Sequence, residues 1–344
     1  MKGLIKKNKI PVVEMIFIGF LPSFLKKNIY RLKGYKIGKD VRIGLGSVII
    51  GKNVTIGDHT KIGFITVIRG RKIHLERFVT IGSLTMIDSE QIIIDEDARI
   101  NENVIIGGTK TPDSLIKIGK RVIIMEYSFI NPTKSIIIGD DSGIGGHCLL
   151  FTHGSWLNQL DGFPVTFAPI NIGKNVWLPW RVFVMPGVTI GDNVVIGAQS
   201  LITTDLPSNV LAAGSPAKVI KENYPKKISE EKRQELIAQI IVEFKTYLEY
   251  NAVHTKQDNF NEGSILIVNK KNKNQRLLFL NKIPKSDFLM EKIDLLVIDC
   301  KTESKFDAKM ILDLQNKTRT GSSPLGEEFS KYLSRHGIRF NRLD

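Results

Sequence analysis

Residues 170–221 read INIGKNVWLPWRVFVMPGVTIGDNVVIGAQSLITTDLPSNVLAAGSPAKVIK, and their beat decides the fold. Bulky aliphatic residues fall at Ile172, Leu178, Val184, Ile190, Ile196 and Ile202, each six positions after the last. Gly follows the anchor at Gly173, Gly191 and Gly197. Six is the period of neither a helix (3.6) nor a single strand (2.0). It describes a coil that turns a corner every six residues and sends one aliphatic anchor inward per side. Gly after the anchor suits a tight corner.

Upstream, the same beat starts at Ile37 and passes Ile43, Ile50, Ile56, Ile62 and Ile68, with the step from 43 to 50 read as a one-residue insertion. It continues through Leu75, Ile81, Ile87, Ile94, Ile100 and Ile106, then Ile118, Ile124 and Ile130, then Ile138, Ile144 and Leu150. The loops GGTKTPDSL and NPTKS interrupt it. Asn53, Asp58, Asp140 and Asn193 lie just after Gly, where a short polar residue tolerates the left-handed conformation. With three sides to a coil, the body holds roughly eight stacked coils. The longest interruption is FTHGSWLNQLDGFPVTFAP, residues 151–169. A long aromatic-bearing loop on a rigid repeat is a frequent seat of function.

Four segments follow: a basic cap, residues 1–36; the coil body, residues 37–225; a helix and linker, residues 226–254; and a small α/β module, residues 255–344. In the third, Ser229 is an N-cap candidate, and Leu236, Ile237, Ile240, Ile241, Phe244 and Leu248 form one apolar stripe. In the last, residues 265–268, 277–280 and 295–298 read as strands, Ser323-Pro324 opens a helix reaching about His336, and residues 338–340 read as a last strand. It contains no Walker or dinucleotide-binding glycine pattern.

The net charge of +14 is unevenly placed. Residues 1–35 hold eight Lys/Arg (Lys2, Lys6, Lys7, Lys9, Lys26, Lys27, Arg31, Lys33) against one acid, Glu14. Between the basic clusters lies IPVVEMIFIGFLPSFL, residues 10–25. Two readings are compatible: a cap over the open end of the coil stack, and contact with an anionic membrane surface. No aromatic-interleaved basic groove or zinc-finger spacing points to nucleic acid. Two distant cysteines, Cys148 and Cys300, make no disulfide framework, and no signal peptide or apolar run of membrane-spanning length is present. A cytoplasmic location follows as the expectation, with peripheral contact at the inner membrane surface.

Of six histidines, His59, His74, His254 and His336 sit at corners, a linker and a helix end. Only His147 and His153 flank the long loop. A loop imidazole beside a rigid coil is suited to general-base work; the plain alternative is a histidine bonded to a backbone carbonyl. No G-x-S-x-G elbow is present, and Cys148, two residues before the anchor Leu150, reads as a small buried residue. A zinc site needs a third imidazole, and residues 75–146 contain none, so no metal is expected.

The hexad together with VTIGDNVVIGAQSLITTDLPSNVLAAGSPAKVIK resembles the hexapeptide-repeat, left-handed β-helix acyltransferases, in the branch that O-acetylates sugars. The resemblance covers residues 37–221 and is most specific over 151–221. It implies a left-handed parallel β-helix, a homotrimer with sites between protomers, and acetyl-CoA as co-substrate. It implies His153 as the base that takes the acceptor proton. The CoA positions carry over to Trp180, Ala198, Thr203, Thr204, Lys218 and Lys221, the two lysines matching an anionic nucleotide. Acceptor contacts are placed at Ser128, where sugar-specific members carry Asn, and at Trp156. The acceptor implied is a sugar or lipid-linked sugar of surface polysaccharide synthesis. This chain departs from the pattern at Pro179-Trp180, where a Gly and a small residue are usual, and at Thr204, where Lys is usual. Transfer to an amino-sugar nitrogen, and a non-catalytic scaffold, are the competing readings.

Overall fold

The computed structural model describes residues 11–154, 157–260, 263–270, 273–282, 293–300 and 306–343. The chain forms two compact units, Met1–Lys226 and Lys227–Asp344.

The first unit is the expected left-handed parallel β-helix, a three-faced prism of short strands. Face one stacks eight strands among the described residues, from Lys36–Ile37 to Thr189–Ile190. Face two starts at Arg42–Ile43 and ends in an antiparallel hairpin, Val210–Gly214 with Ala217–Glu222. Face three runs from Val48–Ile50 to Leu201–Ile202. Parallel pairing puts like residues over like: Ile43 over Ile62, Ile62 over Ile81, and Ile144 over Leu178. These anchors are buried to within a few per cent and fill the prism with one continuous aliphatic core. Because each short strand has little apolar surface of its own, stacking supplies the burial.

The structure corrects the phase of the first coil. The inward residue on face three is Ile49, not Ile50, so the extra residue follows position 49. Every slip then has one location. Between the inward pairs Ile49 and Ile56, Ile68 and Leu75, Ile87 and Ile94, Ile106 and Ile118, Ile130 and Ile138, and Leu150 and Ile172, the chain rounds the third edge, from face three to face one. The other two edges keep the six-residue step in these coils.

The left-handed corner residues also differ from expectation. Asn193 has φ 56°, but at the corners of Asp58 and Asp140 the left-handed residue is the next one, His59 at φ 58° and Asp141 at φ 60°. Asn53 begins a strand. Asp58 and Asp140 use their carboxylates instead, accepting from the amides of Lys39 (2.7 Å) and Lys120 (2.9 Å) on the preceding coil.

Helix α1, Ser23–Leu32, lies on the first coil and satisfies groups that no preceding coil pairs. Ser23 Oγ accepts from the Ile43 amide (3.0 Å), and Tyr30 Oη accepts from the Ile49 amide (2.9 Å). Lys26 Nζ donates to the carbonyls of Gly44 (2.5 Å) and Ser47 (3.1 Å). Burial lowers the Lys26 pKa from 10.5 to about 8. Between those values the unfolded chain holds the proton more tightly than the folded one, so stability rises with pH through this window. Urea denaturation of wild type and Lys26→Met at pH 8 and pH 10 checks this: the stability difference is expected to move in favour of wild type at the higher pH.

The second unit is a seven-stranded mixed sheet among the described residues, ordered His254–Phe260, Gly263–Lys270, Lys273–Leu280, Leu295–Ile298, Met310–Asp313, Thr318–Gly321 and Asn341–Arg342. Residues 338–340, expected as a strand, precede that last one. Helix α2, Glu230–Tyr250, is capped by Ser229 (Lys232 amide to Oγ, 3.2 Å). Its stripe, without the exposed Leu236, packs into this unit's core, with Phe244 against Phe329 at 4.7 Å between centroids. Helix α3, Pro324–Arg335, is capped by Ser323 as expected. Asp299 is fully buried and takes both nitrogens of the Arg233 fork, at 2.7 and 3.1 Å.

Candidate active site

His153 leaves the third edge immediately after the strand Leu149–Phe151. Thr152 fixes the departure: its hydroxyl donates to the Asn131 carbonyl (2.7 Å) and accepts from the Lys134 amide (2.9 Å), and its carbonyl accepts from the Ala168 amide (3.0 Å). Both ends of the long loop are thereby tied to one point. A two-residue antiparallel pairing then sets His153 opposite Phe167. The imidazole stacks on Phe167 (5.7 Å, 15°) and leans on Phe151 (6.2 Å). Phe151 in turn packs edge-on against Phe129 and Phe183. Nδ1 is buried with no partner among the described residues. Phe151 and Thr152 carry no motif of their own; only their place on the repeat marks them.

The positions expected to hold CoA divide between two edges. Phe151, Met185 and Thr203 occupy equivalent places on successive coils, so Thr203 and Thr204 share the third edge with His153, two coils on. Trp180, Ala198 and Lys218 instead follow the second edge, between faces two and three. The Gln199 amide donates to the Trp180 carbonyl (3.0 Å), stacking the corner of Ala198 on that of Trp180. Ala213 sits over Gly197 and pairs with Lys218. In the closing hairpin Lys218 pairs with Ala213 and Lys221 with Leu211, because a bulge removes Ile220 from the ladder. The bulge therefore turns both lysines to the outward face, although they are three positions apart.

The substituted corner at Trp180 is filled in a specific way. Its half-exposed indole lies flat on Gly146, where a Cβ would overlap it, and continues a stack with His147 (5.9 Å) and Tyr127 (His147 to Tyr127, 5.1 Å).

The acceptor contact expected at Ser128 is overturned. Ser128 is buried on a ladder of small polar residues, interrupted at Val104, that tie second-edge corners to the next coil. Ser47 donates to the Gly63 carbonyl (2.6 Å), Thr66 to Gly82 (2.8 Å), Thr85 to Asn101 (3.0 Å) and Ser128 to Gly145 (2.8 Å). Ser128 Oγ also accepts from the Cys148 amide (3.2 Å), so no face of it is left for a substrate. Cys148 is the next rung, with Sγ 3.0 Å from the Pro179 carbonyl. Burial pushes its thiol up to about 11, which removes it as a nucleophile at neutral pH. Trp156 lies outside the described residues. Among the described residues no three His, Cys, Asp or Glu side chains gather as metal ligands.

The description "Bacterial transferase hexapeptide (six repeats)" matches residues 169–204. "Putative colanic acid biosynthesis acetyltransferase WcaF" of Escherichia coli (strain K12) is 34% identical over 130 residues, covering 36% of this chain and 69% of the relative. The galactoside O-acetyltransferase of the same organism is 61% identical over 54 residues, 16% of this chain and 27% of the relative. Among solved structures, the polySia-specific acetyltransferase NeuO aligns with a TM-score of 0.39 at 24% identity, covering 57% of this chain and 85% of that one. A galactoside acetyltransferase in complex with coenzyme A aligns with a TM-score of 0.27 at 24% identity, over 63% and 83%. On the extent of the match to WcaF, and with the hexapeptide description seated on the coils next to His153, this chain belongs to the bacterial hexapeptide-repeat transferases and is an acyltransferase.

Proposed function

We propose that this protein transfers an acetyl group from acetyl-CoA to a sugar hydroxyl, with His153 as the general base. The observation that carries this reading is the seating of the imidazole: clamped between Phe167 and Phe151 at the root of the long loop. In the step proposed, Nε2 takes the hydroxyl proton as the oxygen attacks the thioester carbonyl. Collapse of the tetrahedral oxyanion breaks the C–S bond, and the imidazolium returns the proton to the departing thiolate. General-base help of this kind is typically worth about 10²–10⁴-fold.

The acceptor we read is a surface-polysaccharide sugar or its lipid-linked precursor; the relative WcaF is named for colanic acid biosynthesis. The acetyl donor is held along the second edge, with the arm passing Trp180 and Ala198 and the phosphates facing Lys218 and Lys221. The outward pairing of the two lysines fits an anionic group there. His153 and this line of residues lie on different edges of one prism, which supports a working homotrimer whose sites are completed by a neighbouring copy.

Thiol release from acetyl-CoA across a panel of nucleotide- and lipid-linked sugars tests the reading, with mass spectrometry locating the acetyl group on the sugar. Release that needs a sugar is expected; release equal to the uncatalysed rate with every sugar tested would overturn it. The double variant Lys218→Glu, Lys221→Glu is expected to raise the KM for acetyl-CoA by about 10–100-fold, since each reversed charge costs on the order of 1 kcal/mol or more near phosphates. Its kcat should stay near that of wild type. A KM unmoved by both reversals would remove the lysines from the site.

A further inference from the structure

The cap has an outer side that the prism leaves uncovered. Its inner side is spent on the first coil: the carbonyl of Gly19 accepts from the Gly46 amide (2.6 Å), and Ser23, Lys26 and Tyr30 bond to face-two and face-three groups. The outer side carries Phe17, Phe20 and Phe24, which are 72%, 65% and 60% exposed, and Leu32 at 89%. Val13 and Ile16 are exposed beside them. Docking of Gly19 on Gly46 also brings this segment to the start of the second edge, where Leu45 and Phe64 are exposed on successive coils. Basic groups adjoin the same surface. Arg31, Lys33 and Lys36 are exposed and Lys27 partly so, while Glu14 is the one acid in residues 11–36. Arg31 is held at the end of α1 by the Ile37 carbonyl (3.1 Å).

We propose that this end of the molecule docks on an anionic lipid surface. Phe17, Phe20 and Phe24 enter the boundary between headgroups and acyl chains, and Lys27, Arg31, Lys33 and Lys36 face lipid phosphates. Aromatic side chains flanked by cations are the composition that binds such an interface, because apolar burial and attraction to anionic headgroups add. The charge chooses lipid over a second copy of the chain: a self-complementary contact through this patch would set Arg31, Lys33 and Lys36 against their own equivalents. No helix of the described residues is long and apolar enough to cross a membrane, so docking is to one leaflet. The proposal stands apart from the assignment of His153.

Sedimentation of the full chain with vesicles tests it, comparing phosphatidylglycerol–phosphatidylcholine mixtures with phosphatidylcholine alone. Binding to the anionic vesicles is expected, weakening as salt rises and falling at least about tenfold in Phe17→Glu, Phe20→Glu. Thiol release with a water-soluble acceptor should not change in that variant. Absence of wild-type binding to anionic vesicles, or equal binding by wild type and the double variant, would overturn the proposal. A variant that loses self-association while keeping its vesicle binding would give the patch to a second copy instead.

Discussion

Replacing His153 with alanine is expected to leave a folded protein that binds CoA while its turnover falls by about 10²–10⁴-fold. The fall belongs in kcat, because the ring makes no bond that the donor nucleotide would need. Alanine also empties space beside Phe151 and Phe167, so His153→Asn is the companion variant, retaining much of the volume while losing the basic nitrogen. Both should show the same deficit, with the KM for acetyl-CoA near that of wild type. Normal turnover in either would return the histidine to a structural role in the loop root.

The second large effect lies in the other unit. Arg233→Ala is expected to destabilise Lys227–Asp344 by about 3–5 kcal/mol, the usual cost of removing one partner of a buried ion pair. Asp299 would remain fully buried with Gln234 (2.9 Å) and Gln315 (3.2 Å) as its side-chain donors. Chemical denaturation followed by far-ultraviolet circular dichroism, which reads the helices Glu230–Tyr250 and Pro324–Arg335, checks it, with the prism transition read from tryptophan fluorescence unmoved. The double replacement Arg233→Met, Asp299→Leu should recover most of the loss, since an apolar pair of similar volume needs no counter-charge. A single variant within about 1 kcal/mol of wild type would mean that water reaches the carboxylate.

The prism was legible because one aliphatic anchor per six residues is a packing rule that local sequence states directly. Its phase was harder to read. Ile49 and Ile50 are chemically alike, and only the pairing of Ile49 with Ile68 decides which points inward. Ser128 misled for a related reason. A Ser-for-Asn exchange at a corner looks like a change of substrate contact, whereas the ladder of Ser47, Thr66 and Thr85 makes it a rung between coils. His153 could be singled out from the loop that carries it, but its clamp could not. That clamp depends on Thr152 reaching the Asn131 carbonyl one coil away, a contact between residues 21 apart. In the second unit, Asp299 is invisible in the sequence because its partner lies 66 residues earlier, on a helix whose apolar stripe says nothing of a charged contact.

Mixed oligomers provide the most direct test of a site shared between copies. A His153→Ala copy and a Lys218→Glu, Lys221→Glu copy, co-expressed with different tags and purified through both, are assayed at acetyl-CoA below the wild-type KM. A junction that takes His153 from one and the lysines from the other is intact, so activity well above the sum of the two separate variants is expected. Activity equal to that sum would place the base and the donor site within one protomer and contradict the account.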